Sequence, residues 1–128
     1  MLEVFLVHPG GPFWAAKDDG AWSIPKGEFE PSEDPLVAAR REFTEETGFV
    51  AAGDFIQLTP LKQKSGKIVH AWATEMDCDP AQVQSNTFTF KGKSYPEIDR
   101  AGWFDIAAAK RKILSGQLAF LDELDDRL

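Results

Sequence analysis

The chain has 128 residues, of which 43% are hydrophobic and 12% aromatic, and its formal net charge is −7. This size and apolar content predict a single domain, residues 1–128, with one sizeable core. The acidic charge argues against a protein that coats nucleic acid, because such proteins need a basic surface to displace counterions.

Cysteine usage and the N-terminal sequence favour a protein of the cell interior. Cys78 is the only cysteine, so no disulfide forms within the chain, and with two histidines a zinc site is not expected. The apolar run from Val4 to Val7 is too short for a signal peptide or a membrane span. We therefore expect a cytoplasmic protein with no membrane partner.

The N-terminal part of the chain predicts two strands around a loop rich in glycine and proline. Leu2 to His8 is the first strand, and residues 9–21 form the loop. Trp22 to Gly27 is predicted as a short strand that runs into a tight turn, where Gly27 allows the backbone to approach closely.

A helix is predicted to begin at Pro35 and to end before Gly48. Asp34 is suited to cap it, and proline at the first helical position costs no hydrogen bond. Gly48 can take the left-handed conformation that ends many helices. The face expected to dock on a sheet is apolar and consists of Leu36, Ala39 and Phe43.

The last turns of this helix carry three carboxylates: Glu42, Glu45 and Glu46. Positions i, i+3 and i+4 share one helix face, so these carboxylates converge on one volume and repel one another. A hard cation would neutralise them, and ligands that are all oxygen favour Mg²⁺ or Mn²⁺. Taken alone, the triplet fits a solvated acidic face equally well, because glutamate is a good helix former.

Strands and helices continue to alternate downstream, with no repeat or low-complexity tract. Ser65-Gly66 predicts the turn of a hairpin. The other predicted elements are strands over residues 54–62, 67–74 and 87–90, a helix over residues 106–115 and a short helix over residues 119–124.

The segment from Gly27 to Phe49 resembles the signature of the Nudix hydrolases, enzymes that split a nucleoside diphosphate linked to another moiety. That signature reads G-x5-E-x7-R-E-U-x-E-E-x-G-U, with U a bulky apolar residue, and each fixed position is filled here: Gly27, Glu33, Arg41, Glu42, Phe43, Glu45, Glu46, Gly48 and Phe49. The resemblance implies an α/β fold, the Nudix-type α/β/α sandwich with a mixed sheet. Family members usually carry one more strand before the strand that resembles Leu2 to His8, so the sheet is expected to be short of its usual N-terminal strand.

The resemblance also implies roles for the residues of the signature. The three helix carboxylates would bind one or more Mg²⁺ or Mn²⁺ ions, with the backbone carbonyl of Lys26 or Gly27 as a further ligand. Arg41 and Glu33 would pair with each other or with the ligand carboxylates and so fix their rotamers. The alternative for Arg41 is an ordinary helix-face ion pair with Glu45.

A glutamate outside the signature often supplies the general base or an extra metal ligand in this family. The segment Ser94-Tyr95-Pro96-Glu97 resembles the one that supplies it, so Glu97 is the predicted residue. Glu75, at the end of a strand, is the alternative and is more simply an exposed carboxylate. His70 lies inside an apolar strand and is more simply a core histidine.

The sequence around Lys26 gives the most specific indication of substrate. Trp22 to Glu28 is similar to the W-x-x-P-K-G segment of asymmetrically cleaving dinucleoside polyphosphate hydrolases, in which the lysine meets a phosphate. Lys26 is therefore predicted to bind substrate, with Lys17 and Trp22 as further candidates. The tyrosine that those enzymes often carry beyond the signature is absent, and so is the proline typical of ADP-ribose hydrolases.

The expected function is a Mg²⁺-dependent pyrophosphohydrolase that acts on a small-molecule nucleotide, with dinucleoside polyphosphates or nucleoside triphosphates ranked first. Hydrolysis of ADP-ribose or a nucleotide sugar is the alternative. A binding module without catalysis is disfavoured because every carboxylate of the signature is present. No nucleic-acid partner is expected, because the acidic chain predicts no basic groove. The expected assembly is a monomer or a homodimer.

Overall fold

The computed structural model describes residues 2–26 and 31–128. The described elements, in chain order, are β1 (Glu3–Pro9), α1 (Pro35–Thr47), β2 (Ile56–Gln57), β3 (Leu61–Lys62), β4 (Ile68–Val69), β5 (Trp72–Ala73), β6 (Thr87–Phe90), β7 (Lys93–Pro96), β8 (Ile98–Asp105), α2 (Ile106–Lys112) and α3 (Leu118–Arg127). Two short 3₁₀ turns cover Pro80–Gln82 and Ser115–Gln117. Within these ranges, no helix has the length and apolar character that a membrane span requires.

The longest strand pair is the antiparallel ladder of β1 and β8. Its register changes near one end, where His8 lies opposite Arg100 and Pro9 lies opposite Ile98. Asp99 is therefore the extra residue of a β-bulge on β8, and such bulges bend a strand and redirect its side chains. The bulge lies next to Glu97, one of the residues that the sequence selects for chemistry.

The main core lies where β1 and β8 meet the C-terminal helices. Its buried side chains come from β1, from the segment after the first loop and from the region of α2 and α3: Leu6, Trp22, Ala109, Ile113 and Leu121. Burial of a large apolar side chain stabilises the fold by about 1.5–3 kcal/mol. A second cluster joins Leu58 and Ala71 to Phe120 of α3. Helix α3 thus links the short strands to the main core.

Helix α1 begins and ends where the sequence predicts. The Asp34 carboxylate accepts hydrogen bonds from the N–H groups of Leu36 and Val37, at 3.0 and 3.2 Å. At the other end Gly48 has a φ of 82°, and its N–H donates to the carbonyl of Thr44. These caps satisfy helix-end groups that would otherwise lack partners.

The apolar face of α1 borders a wide groove. Leu36, Ala39 and Phe43 are half-buried and line a cavity of about 1710 Å³ together with residues of β4, β5 and β8. The buried residues of the helix are Ala38 and Thr47. Glu42 lines the groove as well, so this acidic residue of α1 lies at its border.

The middle strands are shorter than predicted. The strand expected over residues 67–74 is interrupted at His70 and Ala71, which leaves β4 and β5. The strand expected over residues 54–62 is divided in the same way into β2, which pairs with β5, and β3, which pairs with β4. The predicted turn at Ser65-Gly66 is confirmed, with a φ of 90° at Gly66.

Two further strands and the end of one helix also differ from the sequence prediction. The strands β7 and β8 were not predicted, and β7 pairs with β6 across a turn in which Lys91 and Gly92 have φ values of 51° and 77°. A lysine is unusual in that turn position, where Asn or Gly is typical. Helix α2 ends at Lys112, because Ile113 is extended and forms a parallel bridge with Trp22. The other described strand pairs are antiparallel.

Candidate functional site

Arg41 forms hydrogen bonds with three carboxylates of the predicted site. Its Nε and Nη2 donate to the two oxygens of Glu33 at 3.1 and 2.8 Å. Its Nη1 donates to Glu42 at 3.1 Å and to both oxygens of Glu45 at 3.2 Å. The hydrogen bonds that Arg41 donates to Glu33 and then to Glu45 raise the pKa of Arg41 above its ordinary value. The bidentate geometry fixes the Glu33 carboxylate, although an exposed ion pair adds little stability.

Glu46 lies outside this cluster and is in a different electrostatic environment. It is half-buried, and its Oε2 accepts the backbone N–H of Lys26 at 2.8 Å. Burial raises the pKa of Glu46 to about 7, the charges of Glu42 and Glu97 raise it as well, and Lys26 opposes them. The surroundings of Glu46, above all its burial, therefore disfavour the charged form of this carboxyl.

Glu97 is held where β7 gives way to β8. Its N–H donates to the carbonyl of Asn86 at 2.8 Å, and its carbonyl accepts the N–H of Gly10 at 2.9 Å. A Cβ at Gly10 would collide with the carbonyl of Pro96, so only glycine lets the end of β1 approach this closely. The fold thereby brings the Glu97 carboxylate into electrostatic range of Glu46. The alternative residue, Glu75, is exposed and lines the groove.

The three predicted substrate contacts have different surroundings. Lys26 is exposed and lies beside Glu46 through its main chain. Lys17 is exposed in the first loop, with its ammonium 3.7 Å from the centre of the Phe13 ring. Trp22 is only 6% exposed, and its indole N–H donates to Asp18. This core position is a correction to the sequence analysis, because a buried indole ring cannot stack on a substrate.

Sequence reasoning missed His8, which is fully buried and joins the first loop to the bulge on β8. Its Nδ1 lies 2.8 Å from a carboxylate oxygen of Asp99, and its Nε2 lies 2.6 Å from the carbonyl oxygen of Lys17. The guanidinium of Arg100 also donates to that carbonyl, at 3.3 Å. No local pattern marks these partners, because they meet only when β1 pairs with β8.

The donor set of the site is suited to a hard divalent cation. The charges of Glu42 and Glu97 act on the half-buried Glu46 carboxyl, and a cation would stabilise its charged form. Oxygen ligands of this kind suit Mg²⁺ or Mn²⁺. Among the described residues, no three His, Cys, Asp or Glu side chains are already arranged to hold a metal. Gly27, the other predicted carbonyl ligand, lies outside the described residues.

Comparison with known proteins places this site in a family. A NUDIX domain model matches residues 3–124. An RNA pyrophosphohydrolase of Caulobacter vibrioides is 31% identical over 88 residues, which are 65% of this chain and 48% of that protein. The match thus spans about half the length of that curated relative.

Solved structures agree with the fold. The C. elegans Ap4A hydrolase in a binary complex has a TM-score of 0.64 at 21% identity, with 98% of this chain and 86% of that chain covered. The NUDIX domain of Shewanella oneidensis NrtR, complexed with ADP ribose, has a TM-score of 0.67 at 17% identity, with coverages of 98% and 77%. These likenesses confirm the expected Nudix-type α/β fold.

The raised pKa of Glu46 predicts how stability varies with pH when divalent cations are absent. Its folded pKa of about 7 lies above the ordinary value of 4.5. The stability from this group is fully present below about pH 4.5 and is lost as the pH rises through about 7. We therefore expect the wild type to lose more stability than Glu46→Gln between about pH 5 and about pH 8, measured by urea unfolding in EDTA.

The control for this comparison is Asp126→Asn, which removes an exposed carboxylate of α3. This variant should follow the wild type at both pH values. Parallel pH dependence of the wild type and Glu46→Gln would show that Glu46 does not titrate abnormally.

Proposed function

Because the chain belongs to the NUDIX domain family, we propose that it is a Mg²⁺-dependent hydrolase that cleaves a phosphoric anhydride bond in a nucleoside diphosphate linked to another moiety. The observation that carries this proposal is the environment of Glu46, where burial and the charges of Glu42 and Glu97 outweigh the contribution of Lys26. Such a carboxyl is poised to exchange its proton for a cation.

Some residues of the site would bind the cation, and others would orient its ligands. Glu42, Glu45 and Glu46, with the carbonyl of Lys26, would hold the cation. When bound, the cation would supply positive charge against the phosphate oxygens. The ion pair of Arg41 with Glu33 would hold the carboxylates of α1 in orientation, as partners of metal ligands do.

Two further side chains would handle the substrate and the proton. The attacking water needs an acceptor for its proton, and Glu97 is a carboxylate outside α1 that acts electrostatically on Glu46. The exposed ammonium of Lys26 would contact a phosphate oxygen. Together these groups would bind the polyphosphate, orient the water and accept its proton.

Among substrates we place dinucleoside polyphosphates and nucleoside triphosphates first. Lys26 supports this choice, because it adds a cation beside the carboxylates where a long anionic chain would extend. The likeness to an Ap4A hydrolase points the same way. The NrtR complex with ADP ribose and the RNA pyrophosphohydrolase relative make ADP-ribose and RNA the substrates to compare in the assay.

The first test of the proposed function is Glu46→Gln. The substitution keeps the size of the side chain and removes the charge that a cation needs, so we expect turnover to fall by about a thousandfold or more under saturating Mg²⁺. The assay is chromatographic separation of the nucleotide products formed from diadenosine tetraphosphate and from ATP. Asp126→Asn is the control and should retain wild-type rates.

The result that would contradict the proposal is full activity of Glu46→Gln, or full activity of the wild type in excess EDTA. Either result would remove Glu46 or the cation from the reaction. A wild type that binds nucleotides but hydrolyses none would support a binding module instead.

The second test asks whether Lys26 selects long phosphate chains. Lys26→Ala keeps the backbone N–H that bonds to Glu46 and removes only the ammonium. We expect KM for diadenosine tetraphosphate to rise about tenfold and KM for ADP-ribose to rise less, because the longer chain presents more negative charge. The difference should shrink at high salt, since exposed charges are screened beyond about 8–10 Å at near-physiological ionic strength.

The control for this test is Arg111→Ala, which removes an exposed cation on α2 whose carboxylate partner is Asp19. It should leave both KM values unchanged. If Lys26→Ala affects the two substrates equally, or if ADP-ribose is the better substrate, the lysine does not select chain length.

A further inference from the structure

The hairpin of β6 and β7 carries its aromatic rings on one face. Phe88 lies opposite Tyr95, and Phe90 lies opposite Lys93. Residues that are directly opposite in an antiparallel pair share a face, so these four side chains form one surface. The rings of Phe88 and Tyr95 have centroids 5.9 Å apart. The other face carries the small or polar pairs Thr87 with Pro96 and Thr89 with Ser94.

This aromatic face is only partly covered by the described protein. Phe90 is 46% exposed, and Phe88 and Tyr95 are half-buried. Gly11 of the first loop approaches the edge of the Phe88 ring, where an added Cβ would lie 2.7 Å from Cζ. The loop therefore supports the Phe88 ring from one side, while the outer rings stay accessible.

Two lysines place positive charge beside these rings in a protein of net charge −7. The ammonium of Lys91 lies 5.4 Å from the centre of the Phe90 ring, and Lys93 is the residue opposite Phe90. Lys91 also has a φ of 51°, in the left-handed region that non-glycine residues seldom adopt. The two-residue turn between β6 and β7 requires a positive φ at this position.

The same face leads to the proposed proton acceptor. The N–H of Glu97 donates to the carbonyl of Asn86, which continues the register of the hairpin by one pair. Because side chains alternate along a strand, Lys93 and Tyr95 of β7 lie on one face, and Glu97 follows Tyr95 by two residues, just beyond the end of the strand. Two residues of extended chain span about 7 Å, so the Tyr95 backbone lies within about 7 Å of the Glu97 backbone.

We propose that this face, formed by Phe88, Phe90, Lys93 and Tyr95, is the platform on which the nucleobase of the substrate stacks. The inference rests on the function proposed above and assigns the position of the base within that site. The ribose would lie between Tyr95 and Glu97, and the phosphates would extend past Glu97 towards Glu46. The lysines would add positive charge along the nucleotide.

A nucleobase fits this surface better than a purely apolar partner. Flat rings flanked by ammonium groups match a planar, electron-rich base that carries anionic phosphates, as in other stacking platforms. An apolar helix would leave Lys91 and Lys93 without charged partners in the contact. The position next to Glu97 also favours a ligand that belongs to the reaction.

The test compares ligands with and without a base. Binding of ADP and of inorganic pyrophosphate is measured by calorimetry, with Ca²⁺ present to support binding while turnover stays low. Phe90→Ala and Tyr95→Leu remove one ring each. We expect each variant to raise the Kd for ADP about tenfold, within the range measured for loss of one stacking ring, and to leave the Kd for pyrophosphate unchanged.

Thr89→Ala is the matched control, because it changes the neighbour of Phe90 on the opposite face of the same strand. It should leave both Kd values at the wild-type level, and circular dichroism checks that all variants fold. Phe90 is exposed, so its loss should not disturb the core.

Three results would overturn the platform. The first is unchanged ADP binding in both ring variants, and the second is equal weakening of ADP and pyrophosphate. The third is loss of self-association with unchanged ADP affinity, measured by gel filtration, which would make the face an interface between copies. A wild type that binds ADP through these rings but hydrolyses no nucleotide would retain the platform and refute only the proposed hydrolysis.

Discussion

Burial of Glu46 close to other carboxylates at one end of α1 is the constraint on which the site depends. One guanidinium, that of Arg41, holds Glu33, Glu42 and Glu45. It makes no hydrogen bond to Glu46, whose pKa is raised to about 7, first by burial and then by neighbouring carboxylates. Arginine thus neutralises one side of the acidic face. On the other side, the charged form of Glu46 remains unfavourable, and a bound divalent cation would stabilise it.

The sheet positions the Glu97 carboxylate near Glu46. The bulge at Asp99, the close approach of Gly10 and the hydrogen bond from Glu97 to Asn86 fix where β7 becomes β8. Buried His8 joins this junction to the carbonyl of Lys17. Local backbone geometry at one strand junction therefore positions Glu97 opposite a helix that lies far away in sequence.

Local signals in the sequence predicted the helix that carries the site but not the strand junction. Asp34, Pro35 and Gly48 define α1 through contacts within a few residues, and the structure has the same limits. Glu97 could be selected only by family resemblance. The strand β8 was missed because Gly102 and the charged residues Asp99 and Arg100 obscure its apolar alternation. The core position of Trp22 depends on pairing with residues about ninety positions later, and no local pattern encodes that.

The most direct test of the raised pKa of Glu46 is the number of protons released when Mg²⁺ binds. Calorimetric titration in buffers of different ionisation enthalpy gives this number at each pH. With a pKa of about 7 at Glu46, close to one proton should leave below about pH 6 and almost none above about pH 8, and Glu46→Gln should release none. Release that does not change with pH, or that persists in Glu46→Gln, would contradict the account.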